Sequence, residues 1–233
     1  MLNTSIHRNL LLQILKDIYS DITIGPKLGF KGGTAAYLCY GLGRFSVDLD
    51  FDLLDENAAA EIFEKIKKII KNYGTIKESY DKRYTLFFLL SYQHELHNIK
   101  IEISKRQFGS CYHMENYLGV PLLVMNKEDV FANKLVALIE REGKTNRDIY
   151  DVWFFLKNHW SINKTIVEQR TKIFYKDAIL KCISIIEKKS DRGILSGIGE
   201  LLDEKQKQWA KQHLKQETIF LLRIQESDAA HDK

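Results

Sequence analysis

Proline is scarce in this chain: two in 233 residues, Pro26 and Pro121. That excludes a Pro-rich linker or a polyproline segment. Cysteine is nearly as rare. Cys39, Cys111 and Cys182 are odd in number and far apart, which excludes a disulfide framework and any zinc or redox pair of the Cys-x-x-Cys kind. No apolar run reaches the roughly 18 residues that a membrane span needs. Residues 1–14 lack the layout of a signal peptide. Internal repeats and low-complexity tracts are missing as well. A cytoplasmic protein with reduced thiols and no membrane partner is expected.

What is present is an ordinary globular balance, 45% hydrophobic and 28% charged residues. A chain of 233 residues buries a real core without staples. Its net charge of +4 is small, but the sign suits phosphate-rich ligands. The excess is uneven: residues 157–223 hold fourteen Lys/Arg against eight Asp/Glu.

Periodicity divides the chain. Ile6–Ile18 predicts an amphipathic helix, with Leu10, Leu11, Ile14, Leu15 and Ile18 at helical spacing. A turn at Gly25-Pro26 leads into a short extended piece ending at Phe30. Lys31-Gly32-Gly33-Thr34 predicts a tight turn, with Thr34 capping a helix over Ala35–Tyr40. Strands are expected over Phe45–Leu54, Tyr84–Tyr92 and Ile99–Ser104, the last two forming a hairpin across Gln93–Asn98. Ala58–Lys71 reads as a helix and Gly109–Pro121 as irregular. Beyond that the expectation is all helix: Glu128–Glu142, Asn146–Lys157, Ile166–Lys188 and Lys205–Ile224, then a frayed polar tail from Glu226. The predicted class is α+β, with an α+β domain over residues 1–120 and a helical domain over residues 121–233, divided at Pro121.

The segment from Arg44 to Leu53 carries the chemistry. Strand side chains alternate faces. Asp48, Asp50 and Asp52 therefore share one face, and Val47, Leu49, Phe51 and Leu53 the buried one. Like charges on one strand face repel, so such a row calls for a cation. Oxygen-only ligands favour a hard ion such as Mg²⁺. The competing reading is a solvated edge strand. Upstream, Gly32-Gly33 at a helix N-terminus suits close approach of a phosphate, although the ending of a P-loop is absent. The strand Ile99–Ser104 places Glu102 as a third carboxylate or proton acceptor, or else as a solvated Glu. Lys134 and Arg141 share one helix face and suit a triphosphate, the alternative being solvated charge. Asp148 and Asp151 share the next helix face, where either orients Lys134 or a ribose. Arg147 and Asp151, at i and i+4, instead read as a simple pair.

These residues together resemble the AbiEii/AbiGii toxin family of nucleotidyltransferases. The resemblance rests on Lys31-Gly32-Gly33-Thr34-Ala35, Tyr40-Gly41-Leu42, Arg44-Phe45-Ser46 and Asp48-Leu49-Asp50-Phe51. It continues in the run from Ala132 to Leu138 with Arg141, and in Arg147-Asp148-Ile149-Tyr150-Asp151. It covers about Leu28 to Leu156. It implies a DNA-polymerase-β-like nucleotidyltransferase core, a mixed sheet flanked by helices, followed by a helical part. It implies that Asp48 and Asp50 hold catalytic Mg²⁺, two ions, with Mn²⁺ as a substitute. It places Ser46 and Gly33 near the phosphates of a nucleoside triphosphate, puts Lys134 on those phosphates and makes Asp148 necessary. It further implies a toxin that transfers nucleotides to RNA, notably tRNA 3′ ends, with a separate antitoxin protein. Ala36 departs from the usual Leu, and no motif fixes Glu102 as the third carboxylate.

The expected reaction is attack of an acceptor hydroxyl on the α-phosphate, releasing pyrophosphate. Lys134, with Arg141 or Arg44, stabilises the leaving charge. The rival readings are transfer to a protein or small-molecule hydroxyl, an inactive partner-binding module, and a metal-dependent nuclease.

Overall fold

The computed structural model describes residues 3–92 and 97–231. It divides into two compact units, Met1–Gly41 with Phe45–Asn126, and Leu42–Arg44 with Lys127–Lys233.

The first unit is built on a seven-stranded mixed sheet. Its strands are β1 (Leu28–Lys31), β2 (Leu49–Leu53), β3 (Thr75–Lys82), β4 (Thr85–Tyr92), β5 (His97–Ser104), β6 (Tyr112–Tyr117) and β7 (Val120–Met125). Their lateral order is β3-β4-β5-β2-β1-β7-β6. β2 runs parallel to β5, and β1 parallel to β7; other neighbours are antiparallel. Three helices accompany the sheet: α1 (Thr4–Ser20), α2 (Gly32–Cys39) and α3 (Ala59–Ile70). Asn3 caps α1 by accepting from the Ile6 amide at 3.1 Å. Ile62, Ile66 and Ile70 of α3, at i, i+4 spacing, join Leu11, Ile14 and Ile18 of α1 against Phe51, Phe88 and Ile101. All of these are buried, so one sheet face is closed by helices. Asp50 and Glu102 belong to the other face.

The second unit is helical: α4 (Lys127–Glu140), α5 (Asn146–Lys157), α6 (Lys164–Thr171), α7 (Tyr175–Glu187), α8 (Glu204–Trp209) and α9 (Lys215–His231). Thr145 caps α5 through the Arg147 amide. Leu42–Arg44 belongs to this unit, and Gln206 of α8 donates to the Gly43 carbonyl at 2.5 Å.

Several expectations are corrected. Pro121 is not a boundary. It lies within β7, near the strand start where its missing N–H is tolerated, and the sheet runs on to Met125. β3 and β6 are edge strands with largely exposed residues, so no apolar alternation announced them. The helix expected over Ile166–Lys188 is α6 and α7, separated where Lys172 turns left-handed (φ 60°). That expected over Lys205–Ile224 is α8, a π turn at Ala210–Leu214 and α9. The tail expected to fray from Glu226 is helical to His231. β4 and β5 do pair as a hairpin; residues 93–96 of the turn assigned to Gln93–Asn98 lie outside the described residues.

Candidate active site

In the first unit, β1 enters α2 through a sharp turn at Gly32. Gly32 has φ +77°, and a Cβ there would press into the Asp50 carboxylate, 2.9 Å from the Asp50 Cβ. Glycine is therefore required twice, by conformation and by space. The turn sets the N-terminus of α2, with Gly33 buried behind it, against Asp50. Lys31, the last residue of β1, is the register partner of Asp50.

On the other side of β2, Asp50 pairs in register with Glu102 of β5. Residues in register point to the same face. Between these carboxylates stands Lys100, its Nζ 3.4 Å from Glu102 and 3.9 Å from Asp48. Burial disfavours the charge of Lys100, but Asp50, Asp48 and Glu102 outweigh it and raise its pKa. The sequence had not singled out Lys100. It is an internal counter-ion for a face that would otherwise repel itself.

Asp52 shares a face with Asp50, as the alternation of β2 requires, but does not share its open role. Its carboxylate is 7% exposed as a residue, takes the Lys31 ammonium at 2.5 Å and accepts from the Tyr112 hydroxyl at 2.5 Å. It is satisfied by the protein itself.

Asp48 precedes β2 rather than lying in it, so the strand expected from Phe45 begins at Leu49. Side chains hold residues 46–48 instead of ladder bonds. Thr34, expected as a cap, lies inside α2; its hydroxyl donates to the Asp48 carbonyl, which can only accept, and therefore accepts from the Ser46 hydroxyl at 2.9 Å. His7 of α1 approaches the Val47 carbonyl through Nε2 at 2.9 Å and Tyr92 Oη through Nδ1 at 2.5 Å. The carbonyl can only accept, so Nε2 carries the proton and Nδ1 accepts from Tyr92. Burial lowers the His7 pKa and favours this neutral form. The one sequence signal was the placement of His7 on the apolar stripe of Leu11, Ile14 and Ile18.

Among the described residues, no three His, Cys, Asp or Glu side chains form a ready-made metal cage. The oxygen-only donors of Asp48 and Asp50 instead suit a hard divalent ion that completes its shell with substrate phosphates and water.

The second unit gathers the remaining predicted residues. Arg44 grips Asp151 bidentately, Nε to Oδ1 at 2.6 Å and Nη2 to Oδ2 at 2.7 Å. Lys134 Nζ lies 2.8 Å from Asp151 and 3.1 Å from Asp148. Arg141 reaches Asp148 at 3.1 Å. The side chains of Arg44 and Asp151 are 3% and 0% exposed. Each is committed to a buried pair, and of the two roles open to Asp151, orienting Lys134 or a ribose, the contact present is the one to Lys134. Asp151 also does not pair with Arg147, whose Nε turns to Thr145 Oγ1 at 3.5 Å. Burial opposes the Lys134 charge, but Asp151 and Asp148 outweigh it and raise its pKa. Arg141, 56% exposed, is the open cation of the group.

A family model described as nucleotidyl transferase AbiEii toxin, type IV toxin–antitoxin system, matches residues 13–221, nearly the whole of both units. The chain belongs to this family. An uncharacterized Aquifex aeolicus protein, aq_aa25, is 27% identical to this AbiEii-family chain over 147 residues, 63% of this chain and 65% of that protein's length. Two Helicobacter pylori structures share the fold. One, described as a candidate nucleotidyltransferase, superposes with a TM-score of 0.61 at 19% identity, covering 100% of this chain and 99% of that one. The other, JHP933, gives 0.56 at 20% identity, covering 99% and 98%. The α+β nucleotidyltransferase-like architecture expected from the sequence is thus the observed one. No helix among the described residues is long and apolar enough to cross a membrane.

Proposed function

We propose that this AbiEii-family chain transfers a nucleoside monophosphate from a nucleoside triphosphate to the 3′ hydroxyl of an RNA, a tRNA in particular. The observation that carries the reading is the single sheet face on which Asp50 and Glu102 pair in register beside Asp48 and the N-terminus of α2. Asp48 and Asp50 are the residues that hold Mg²⁺ or Mn²⁺, two ions in the full site. The metal, when bound, neutralises phosphate charge and aligns in-line attack. Glu102 accepts the proton of the attacking hydroxyl. The new bond joins the acceptor oxygen to the α-phosphorus, and the bond to the pyrophosphate oxygen breaks.

The amides of Gly32 and Gly33, with the Ser46 hydroxyl, receive phosphate oxygens at the positive end of α2. Lys134, kept charged by Asp148 and Asp151, and Arg141 attract the triphosphate and its leaving pyrophosphate. The excess of Lys and Arg over residues 157–223 supports an RNA backbone as acceptor. The setting is the cytoplasm, with the reaction acting as a toxin held in check by a separate antitoxin protein.

The test is transfer of label from each nucleoside triphosphate, radiolabelled at the α-phosphate, to total cellular RNA with Mg²⁺. Labelled RNA that disappears with Asp48→Ala is the expected result. Label on protein or on a small molecule instead would replace the acceptor, and no label on anything from a folded protein would leave a partner-binding module. Gly32→Ala is expected to displace the Asp50 carboxylate and slow transfer by roughly 10²-fold, the usual effect of a misplacement of about 1 Å. Left-handed strain of about 1–2 kcal/mol lowers the melting temperature by roughly 2–8 °C. An activity loss without any melting shift, or the reverse, contradicts the double role assigned to Gly32.

A further inference from the structure

The row that holds Asp50 and Glu102 does not stop at β5. Glu102 is in register with Phe87 of β4, and Phe87 with Tyr80 of β3. Tyr80, Phe87, Glu102 and Asp50 therefore lie in one line across the sheet, on one face. Their sequence neighbours on the other face, Leu86, Phe88 and Ile101, are completely buried. Phe87 and Tyr80 themselves retain access to solvent. Their rings are stacked, 4.7 Å between centroids and 9° from parallel. That spacing matches the separation of adjacent strands, about 4.8 Å, so the rings stand as a column along the row. Tyr80 covers one face of Phe87, and the other looks along the row toward Glu102. Phe87 stands two strands from Asp50, roughly 10 Å, with Glu102 between them.

Cations stand at the hairpin end of this column, while Glu78 shares its face on the side away from the hairpin. Lys82 Nζ lies 4.1 Å above the Tyr80 ring. At the hairpin end, Arg83 sits over Tyr84 at 5.0 Å, and Arg106 lies 5.9 Å from both Tyr84 and Phe108. Tyr84 is 52% exposed. A cross-strand aromatic pair steadies a hairpin wherever it occurs. What distinguishes this one is its alignment with the carboxylates and the positive charge at its hairpin end. A protein side chain or a small polar molecule has no use for a ring column beside the reacting hydroxyl. An unpaired base does, because every base presents a face to stack and a phosphate to neutralise.

We infer that Tyr80 and Phe87 form the acceptor-side stacking subsite for the last unpaired bases of a single-stranded RNA end, with Lys82, Arg83 and Arg106 on its phosphates. This rests on the reaction proposed above and places its acceptor on the β5-to-β3 side of Glu102.

The probe is a short single-stranded RNA with 2-aminopurine next to its 3′ end, whose fluorescence falls on stacking. It is titrated with the full chain, and the same oligonucleotide serves as acceptor in the transfer assay. Wild type is expected to quench the probe. Phe87→Leu, which keeps an apolar side chain but removes the ring, is expected to weaken binding about tenfold, the scale of one lost stack. It should raise the acceptor KM by the same factor and move the nucleotide KM less than twofold. Phe87→Tyr should restore both. Tyr80→Leu, on an edge strand, carries the same test if Phe87→Leu does not fold. No quenching by wild type, or equal quenching and equal acceptor KM in wild type and both Leu variants, overturns the inference even where RNA is labelled. Ring-dependent quenching without any transfer supports the subsite and sinks the proposed reaction instead.

Discussion

Asp151→Asn is expected to destabilise the helical unit by about 3–5 kcal/mol, the usual cost of removing one partner from a buried charge pair. Set against a typical domain stability of about 5–15 kcal/mol, that is a large share. Arg44 and Lys134 share this one carboxylate at 2.6–2.8 Å, and the two cations repel each other once it is neutral. Asn keeps the volume, so the loss reports charge rather than packing. Arg141→Ala is the contrast. Its guanidinium is 56% exposed, and solvent screening limits its pair with Asp148 to about 0–1 kcal/mol. The pH dependence has a definite sign. Burial alone would raise the Asp151 pKa, but Arg44 and Lys134 outweigh it and hold it below the ordinary range. The stabilisation is thus complete above the ordinary Asp value of about 3.9 and is lost as pH falls through the depressed folded value. Denaturant melts at neutral and acidic pH measure both effects. A neutral-pH loss under about 1 kcal/mol, or an acid limb identical in wild type and variant, would show that Asp151 does not anchor this unit.

What could be read from the sequence was local. The period of two in β2 separates Asp50 from Leu49 and Phe51 without any knowledge of neighbours, and the folded strand keeps that separation. Asp52 obeyed the same periodicity and misled, because its partner Tyr112 lies sixty residues away on the edge strand β6. Arg44 was read as a phosphate ligand for a similar reason: Asp151 lies 107 residues further along, and nothing in either sequence neighbourhood announces a bidentate pair. The same limit hid the subsite row. Tyr80, Phe87 and Glu102 come into line only through the register of β3, β4 and β5, and β3 carries too little apolar pattern to be recognised as a strand. Helix faces fared better than contacts. His7 lies on the stripe of Leu11 and Ile14 but was not singled out, because its hold on the Val47 carbonyl depends on the loop before β2, which periodicity had assigned to the strand itself.

Asp50→Asn is expected to separate function from folding in the direction opposite to Asp151→Asn. The two aspartates differ in company. Asp151 and its neighbour Asp148 are matched by Arg44, Lys134 and Arg141, whereas Asp50 stands with Asp48 and Glu102 around the single ammonium of Lys100. Lys31, its register partner, gives its own ammonium to Asp52. Removing one of three mutually repelling carboxylates relieves repulsion, so the melting temperature should hold or rise slightly. On the proposed mechanism, the same change removes half of the protein's metal-binding charge. The transition state then loses several kcal/mol of charge stabilisation, and transfer should fall on the order of a thousandfold. Lys100 supplies an independent readout. With less negative charge beside it, its raised pKa should move back toward the ordinary lysine value, followed by nuclear magnetic resonance of the side chain. Transfer within tenfold of wild type would remove Asp50 from the metal site. A variant that unfolds would class Asp50 with Asp52 and Asp151, as a carboxylate the fold needs for its own cations.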